Sequence, residues 1–199
     1  MKTLGDFIAA PLGFLLLCTV VAAIVIVSGA YNVGASSPHW VIVQKTLHYA
    51  TVRSVEKHAE GVVLPKGMDL RSLAFAQKSV GDFNEMCVTC HGAPGRKPDP
   101  WARGLHPRAP SLTDAAIVGH WTDAQIYWIL KNGIKDTGMM AFGSSHDEEE
   151  LWALTALVKR LPTTTPDEFH KMTEQAKATE GEDEHASPGS ATNAPPEHT

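Results

Sequence analysis

An all-α fold preceded by one apolar helix is what this sequence predicts, and three observations predict it. Residues Phe7 to Val27 carry no charge, and about 20 apolar residues are what a helix needs to cross about 30 Å of hydrocarbon. Farther along, apolar residues recur at steps of three and four in several separate stretches, the pattern of helices that bury one face. Two pairs of helix-start residues, Thr122 with Gln125 and Ser145 with Glu148, then mark where two of those helices open.

At 199 residues the chain is long enough for one domain with accessories. Its net charge of −5 is unevenly spread: +2 over residues 1–66, −1 over 67–161 and −6 over 162–199. No segment has the basic excess of a nucleic-acid binder, so that class is set aside.

Residues 1–30 read as a transmembrane anchor. Ser28-Gly29-Ala30 resembles a small-residue cleavage site, but the apolar run is longer than the ~7–15 residues of a signal peptide, so the helix is expected to be retained. Cys18 follows Leu17 rather than a small residue, which fits a structural cysteine better than a lipid-modified one. Tyr31 and Trp40 stand where an aromatic belt would lie, and Pro38 separates the first helix from the next segment.

Residues 31–66 then read as a short juxtamembrane helix and a linker. Trp40, Val43, Leu47 and Ala50 form its apolar stripe, and its role as a membrane-surface helix, a pack on the following domain, a partner dock or a spacer stays open. Gly61 to Gly67, with Pro65, is the linker.

The domain proper is expected over residues 67–165. Leu73, Ala76, Val80, Phe83 and Cys87 make one stripe, so a helix should run directly into Cys87–His91. Gly92 to Pro110 holds too many glycines and prolines for a regular element and reads as a loop covering something. A helix with Ile126, Ile129 and Leu130 follows and ends at Gly133. Another follows Ser145, with acidic residues in its first turn, Lys159 and Arg160 in its last, and Leu151, Leu154, Thr155, Val158 and Leu161 on its apolar face; Pro162 stops it. Residues 166–199 read as an acidic tail: Phe169 and Met172 can pack back, and disorder is expected from about Thr179.

The chemistry sits in Cys87-Val88-Thr89-Cys90-His91. Two thiols three positions apart can each add to a haem vinyl group, and the adjacent imidazole is delivered to the iron. A redox dithiol should lie in a βαβ context, which is missing, and a zinc site needs a second pair of ligands, whereas Cys18 is the only other cysteine. One covalently bound haem c is therefore expected, held by Cys87, Cys90 and His91. The second axial ligand decides the function, and His106, His120, His146, Met139, Met140 and Met172 are the candidates downstream.

Over roughly Asp69 to Pro162 the sequence resembles the class I monohaem cytochromes c. The resemblance rests on Phe83 one turn before the motif, on CVTCH, on Ala109-Pro110-Ser111-Leu112, on KNGIKDTGMMAFG and on LWALTALVKRLP. It implies the class I cytochrome c fold, with Met139 as the second axial ligand after glycine; the family's following proline is replaced by Met140. It further implies that the Pro110 carbonyl accepts the proton of His91. Trp101 and Arg103 are candidates to reach haem propionates, and Trp121, Trp128 and Trp152 are assigned to the pocket and core.

The function so implied is one-electron transfer by a cytochrome anchored in the inner membrane with its haem domain in the periplasm, since such haems are attached outside the cytoplasm. The expected partners are the membrane and redox proteins or a membrane oxidoreductase complex, for which the chain could be the haem relay subunit; no small-molecule substrate is expected. The alternative is a haem enzyme, or a gas or peroxide sensor, in which a labile Met139 opens the iron.

Overall fold

The computed structural model describes residues 4–186. Among them it is helical and has no strand; one isolated bridge joins Ala93 and Arg96. The chain divides into two compact units between Val41 and Ile42.

In the first unit, helix α1 spans Leu4–Ser28. Its stretch Ala9–Ser28 is long and apolar enough to cross a membrane, and none of that stretch is buried inside the protein. A core helix of a soluble domain would hide such a surface, so α1 is a candidate membrane span. Beyond it, Tyr31 meets Trp40 edge to face, with ring centroids 5.2 Å apart, and its hydroxyl lies 2.5 Å from His39 Nδ1.

The second unit begins with α2, Val41–Ala59. The helix lies where the sequence places it, but its buried face is a different one. Val55 and Ala59 are buried and Val52 is half-buried, whereas Trp40, Leu47 and Ala50 of the expected stripe are exposed. His58 packs on Trp128 with ring centroids 5.7 Å apart, so the carboxyl-terminal half of α2 is seated on the haem-motif domain. The linker is also held, because Val62, Leu64, Met68 and Leu70 pack against the core.

The approach to Cys87 is a broken helix rather than a continuous one. Helix α3 (Leu73–Gln77) is capped by Ser72, whose hydroxyl accepts from Phe75 N, and α4 (Val80–Asp82) follows. Phe83–Cys87 then forms a π turn in which Val88 N donates to Phe83 O, and α5 covers Val88–His91. Such wide turns recur at functional sites because they rotate the following side chains relative to a regular helix. Ala76, Val80, Phe83 and Cys87 are buried as the stripe requires, but Leu73 is 59% exposed.

Helices α6 (Ala115–Gly119) and α7 (Asp123–Asn132) lead to α8, Glu148–Arg160. The capping box at Thr122 and Gln125 opens α7, with both reciprocal bonds formed. The one at α8 lies two residues beyond the expected pair. Asp147 Oδ1 accepts from Glu150 N at 2.9 Å and Asp147 N donates to Glu150 Oε2 at 2.7 Å, while Ser145 Oγ donates to Phe142 O. Every residue from Leu151 to Val158 is buried, so α8 is the central helix rather than one with a single apolar face. Trp152 stacks on Tyr127 at 4.3 Å.

Helix α9, Pro166–Ala186, opens with a further capping pair, Thr165 and Glu168. Phe169 and Met172 are buried, and Phe169 meets Phe83 edge to face at 6.0 Å. Gln77 Nε2 donates to Met172 O, so the carboxyl-terminal helix packs behind the haem motif. The helix continues past Thr179, where composition predicts loss of order; residues 187–199 of the expected tail lie outside the described residues.

Candidate haem site

Short local contacts fold the chain around Cys87–His91. Gly92 leaves α5 with φ +72, and a Cβ there would lie 2.8 Å from Arg96 O, so a side chain would block the turn beyond it. That turn returns Asp99 to α5: Asp99 N donates to Thr89 O at 2.9 Å, and Thr89 Oγ1 donates to Asp99 Oδ2 at 3.1 Å. The rest of the glycine- and proline-rich loop then passes beside His91. His91 Nδ1 lies 2.8 Å from Pro110 O. A carbonyl can only accept, so Nδ1 carries the proton and Nε2 keeps its lone pair in the neutral ring. Burial lowers the His91 pKa, with the Pro110 bond opposing, and the net effect favours this neutral donor.

A second loop faces this one. Residues 133–143 form the first part of the connection from α7 to α8 and are fastened at both ends: Ile134 N donates to Met139 O, Phe142 N to Leu130 O and Gly143 N to Lys131 O, each at 3.0 Å. Between them, Thr137 Oγ1 donates to Ile134 O at 2.7 Å and accepts from Met139 N at 3.0 Å. Gly133, with φ +65, has the backbone of Met139–Ala141 against its α-carbon. Asp136 also has positive φ, at 57°, a conformation that aspartate tolerates better than most residues.

The two loops and the helices between them enclose one cavity of about 670 Å³. Cys87, Cys90, His91 and Met139 all stand in its wall, so the structure brings the sequence-predicted site residues together. Met140 reaches the same wall, but it is 63% exposed, whereas Met139 packs against the core. Elsewhere the wall is largely apolar, with Phe83, Ile126, Leu130, Leu154 and Val158 among its residues. Trp121 lines the cavity, Trp152 is in the core, and Trp128 is half-buried against His58. Trp101 and Arg103 are absent from the wall and exposed. Arg108, five residues farther along the same loop than Arg103, does line the cavity. His48, Thr51 and Val55 of α2 also line the cavity, and no sequence motif marks them.

The residues fit a haem better than either rival. The volume is that of a cofactor pocket, with two thiols, an imidazole oriented through its far nitrogen, and a thioether in an apolar wall. A reactive dithiol needs a lowered thiol pKa, yet burial pushes Cys87 up to about 12 and also raises Cys90. Among the described residues no group of three or more histidine, cysteine or acidic side chains could hold a zinc ion.

The family described as cytochrome C oxidase, cbb3-type, subunit III matches residues 75–158. No curated protein matches the chain. The matched segment runs from α3 to near the end of α8 and contains the CVTCH motif, the loop through Pro110 and the methionine loop. Residues 75–158 therefore belong to the class I c-type cytochromes, the haem-based electron carriers.

Proposed function

We propose that this chain is a membrane-anchored cytochrome c with one covalently attached haem, and that it passes single electrons as the haem relay of a membrane oxidoreductase. The observation that carries the reading is the convergence in one apolar cavity of Cys87, Cys90, Met139 and a His91 oriented through Pro110. A haem bound there supplies the one-electron couple. Cys87 and Cys90 would hold it by thioethers, each thiol adding across one vinyl group, which would fix its position. His91, with Nδ1 engaged by Pro110, would offer Nε2 to the iron, and the Nδ1 hydrogen bond would strengthen that donor. Met139 would supply the second protein ligand to the iron, from a loop that is fastened at both ends. With both ligands supplied by the protein, the group would serve electron transfer rather than substrate binding, and the apolar wall would disfavour the more highly charged state of the iron and so raise the potential.

The anchor is α1, with the haem domain on the periplasmic face of the inner membrane. Among the described residues nothing buries its 20-residue apolar stretch Ala9–Ser28, which is long enough to cross a bilayer. The description of the matched family, a subunit of an oxidase, supports a place in a larger complex. Denaturing electrophoresis of the native protein, stained for haem, tests the attachment. A band near 21.5 kDa is expected, and haem extracted by acidic acetone would show that no thioether exists. Isolation from membranes in mild detergent tests the relay role, for which co-purification of a redox partner is expected.

A further inference from the structure

Haem carries two carboxylates, and a largely apolar wall has few groups to receive them. Removing a carboxylate from water without giving it a partner is strongly unfavourable, so its place should be marked by donors at the cavity rim. Most polar side chains in the wall are already engaged among the described residues. His91 Nδ1 is taken by Pro110 O, Thr51 Oγ1 donates to Leu47 O at 2.9 Å, and Thr137 Oγ1 donates to Ile134 O. The ring of His120 lies edge-on to Trp121 at 4.9 Å. His48, Arg108 and His120 line the same cavity, are exposed, and have no side-chain hydrogen-bond partner among the described residues.

His48 comes from α2, outside the segment that matches the cytochrome family. It is nonetheless firmly placed. His48, Val52, Val55 and Ala59 follow one another at steps of four, three and four, so they share one face of the helix. Val55 is 1% exposed and Ala59 4%, and the His58 ring packs at a tilt against Trp128. The anchored half therefore aims the face on which His48 stands, two turns or about 10 Å along the axis from Val55. We propose that His48 donates a hydrogen bond to a haem carboxylate, so that the helix following the candidate span is part of the haem site. The inference rests on the reading that a haem occupies this cavity.

The test uses the full chain in detergent, with labelled threonine and valine methyls and labelled histidine rings, recorded in both oxidation states. Low-spin ferric haem is paramagnetic and ferrous haem is not, so nuclei close to the iron shift on reduction. Thr51, Val55 and the His48 ring are expected to shift well beyond Val63, an exposed residue outside the cavity wall. In resonance Raman spectra His48→Ala should move the propionate bending band, and His48→Gln, which keeps a donor, should restore much of its position. Redox shifts at Thr51 and Val55 no larger than at Val63, or a propionate band unmoved in His48→Ala, would overturn the proposal while leaving the haem reading intact. A wild-type chain without a haem-stained band would overturn the haem reading itself.

Discussion

Replacing Gly133 with alanine asks whether the methionine loop is seated by a close approach of backbone to backbone. Gly133 has φ +65, and a Cβ on it would lie 2.7 Å from Met139 O, 2.7 Å from the Met140 carbonyl carbon and 2.8 Å from Ala141 N. The left-handed conformation costs a residue with a side chain about 1–2 kcal/mol, and forcing a methyl into filled space costs about 1–3 kcal/mol. The combined strain of roughly 2–5 kcal/mol rivals the loop's own backbone hydrogen bonds, at about 1 kcal/mol each. Helix α8 is packed on all sides, so the loop is the part that yields, and Met139 moves with it. At about 1.4 kcal/mol per tenfold, a loss of about 3 kcal/mol lowers methionine ligation about a hundredfold. Gly133→Ala is therefore expected to lose the methionine-to-iron charge-transfer band and to bind carbon monoxide, while its far-ultraviolet dichroism stays close to wild type. Gly119→Ala is the control, because nothing lies within 4 Å of its added methyl. A Gly133→Ala protein with an intact charge-transfer band and an unchanged unfolding midpoint would refute the argument.

Met139→Ala should abolish low-spin ligation, and Met140→Ala should keep it, because Met140 is 63% exposed and Met139 packs on the core; the charge-transfer band in each variant decides. Val55→Asp places an unpaired charge where only 1% of the residue is exposed, a cost of several kcal/mol. Trypsin should then cut α2 at Arg53 or Lys57 at least tenfold faster than in wild type, with the haem still attached. The native protein should stay with membranes through a carbonate wash, which strips electrostatically held proteins but not a spanning helix; haem in the soluble periplasmic fraction would show that α1 is cleaved.

Legibility from sequence extends to whatever depends on few neighbours. The CVTCH motif is local chemistry, so Cys87, Cys90 and His91 can be chosen without a structure; the glycine-bounded loop offers both Met139 and Met140, and the resemblance to the class I cytochromes c selects Met139, which stands with the other three in one cavity wall. Helix α8 is harder, because two start signals overlap. Ser145 with Glu148 and Asp147 with Glu150 both fit the capping pattern. The Ser145 hydroxyl is used by Phe142 O, which leaves the cap to Asp147. Its burial on all sides is also hidden, since periodicity reports one face and cannot count the helices that will surround it.

Helix α2 marks the limit of such reading more sharply. Its amino-terminal half holds Val41, Ile42, Val43, Leu47 and Tyr49, which is too many apolar residues for periodicity to select a face. The observed face is decided by what it meets, Trp128 and the mouth of the cavity, on segments some 50 to 80 residues away in sequence. The same holds for the loop before Pro110, where Arg103 and Arg108 are equivalent by composition and only the path of the chain brings Arg108 to the wall. A site assembled from a local motif and distant walls is therefore legible in its ligands before its rim. The rim is also where a cytochrome domain is tuned to its setting: here part of it is built by a helix that lies outside the matched family segment and directly follows the unit carrying the candidate span. A change in how α2 is seated should then be felt in the cavity, and the Val55→Asp and His48→Ala proteins should alter the haem spectrum without touching any of the four residues proposed to hold the haem.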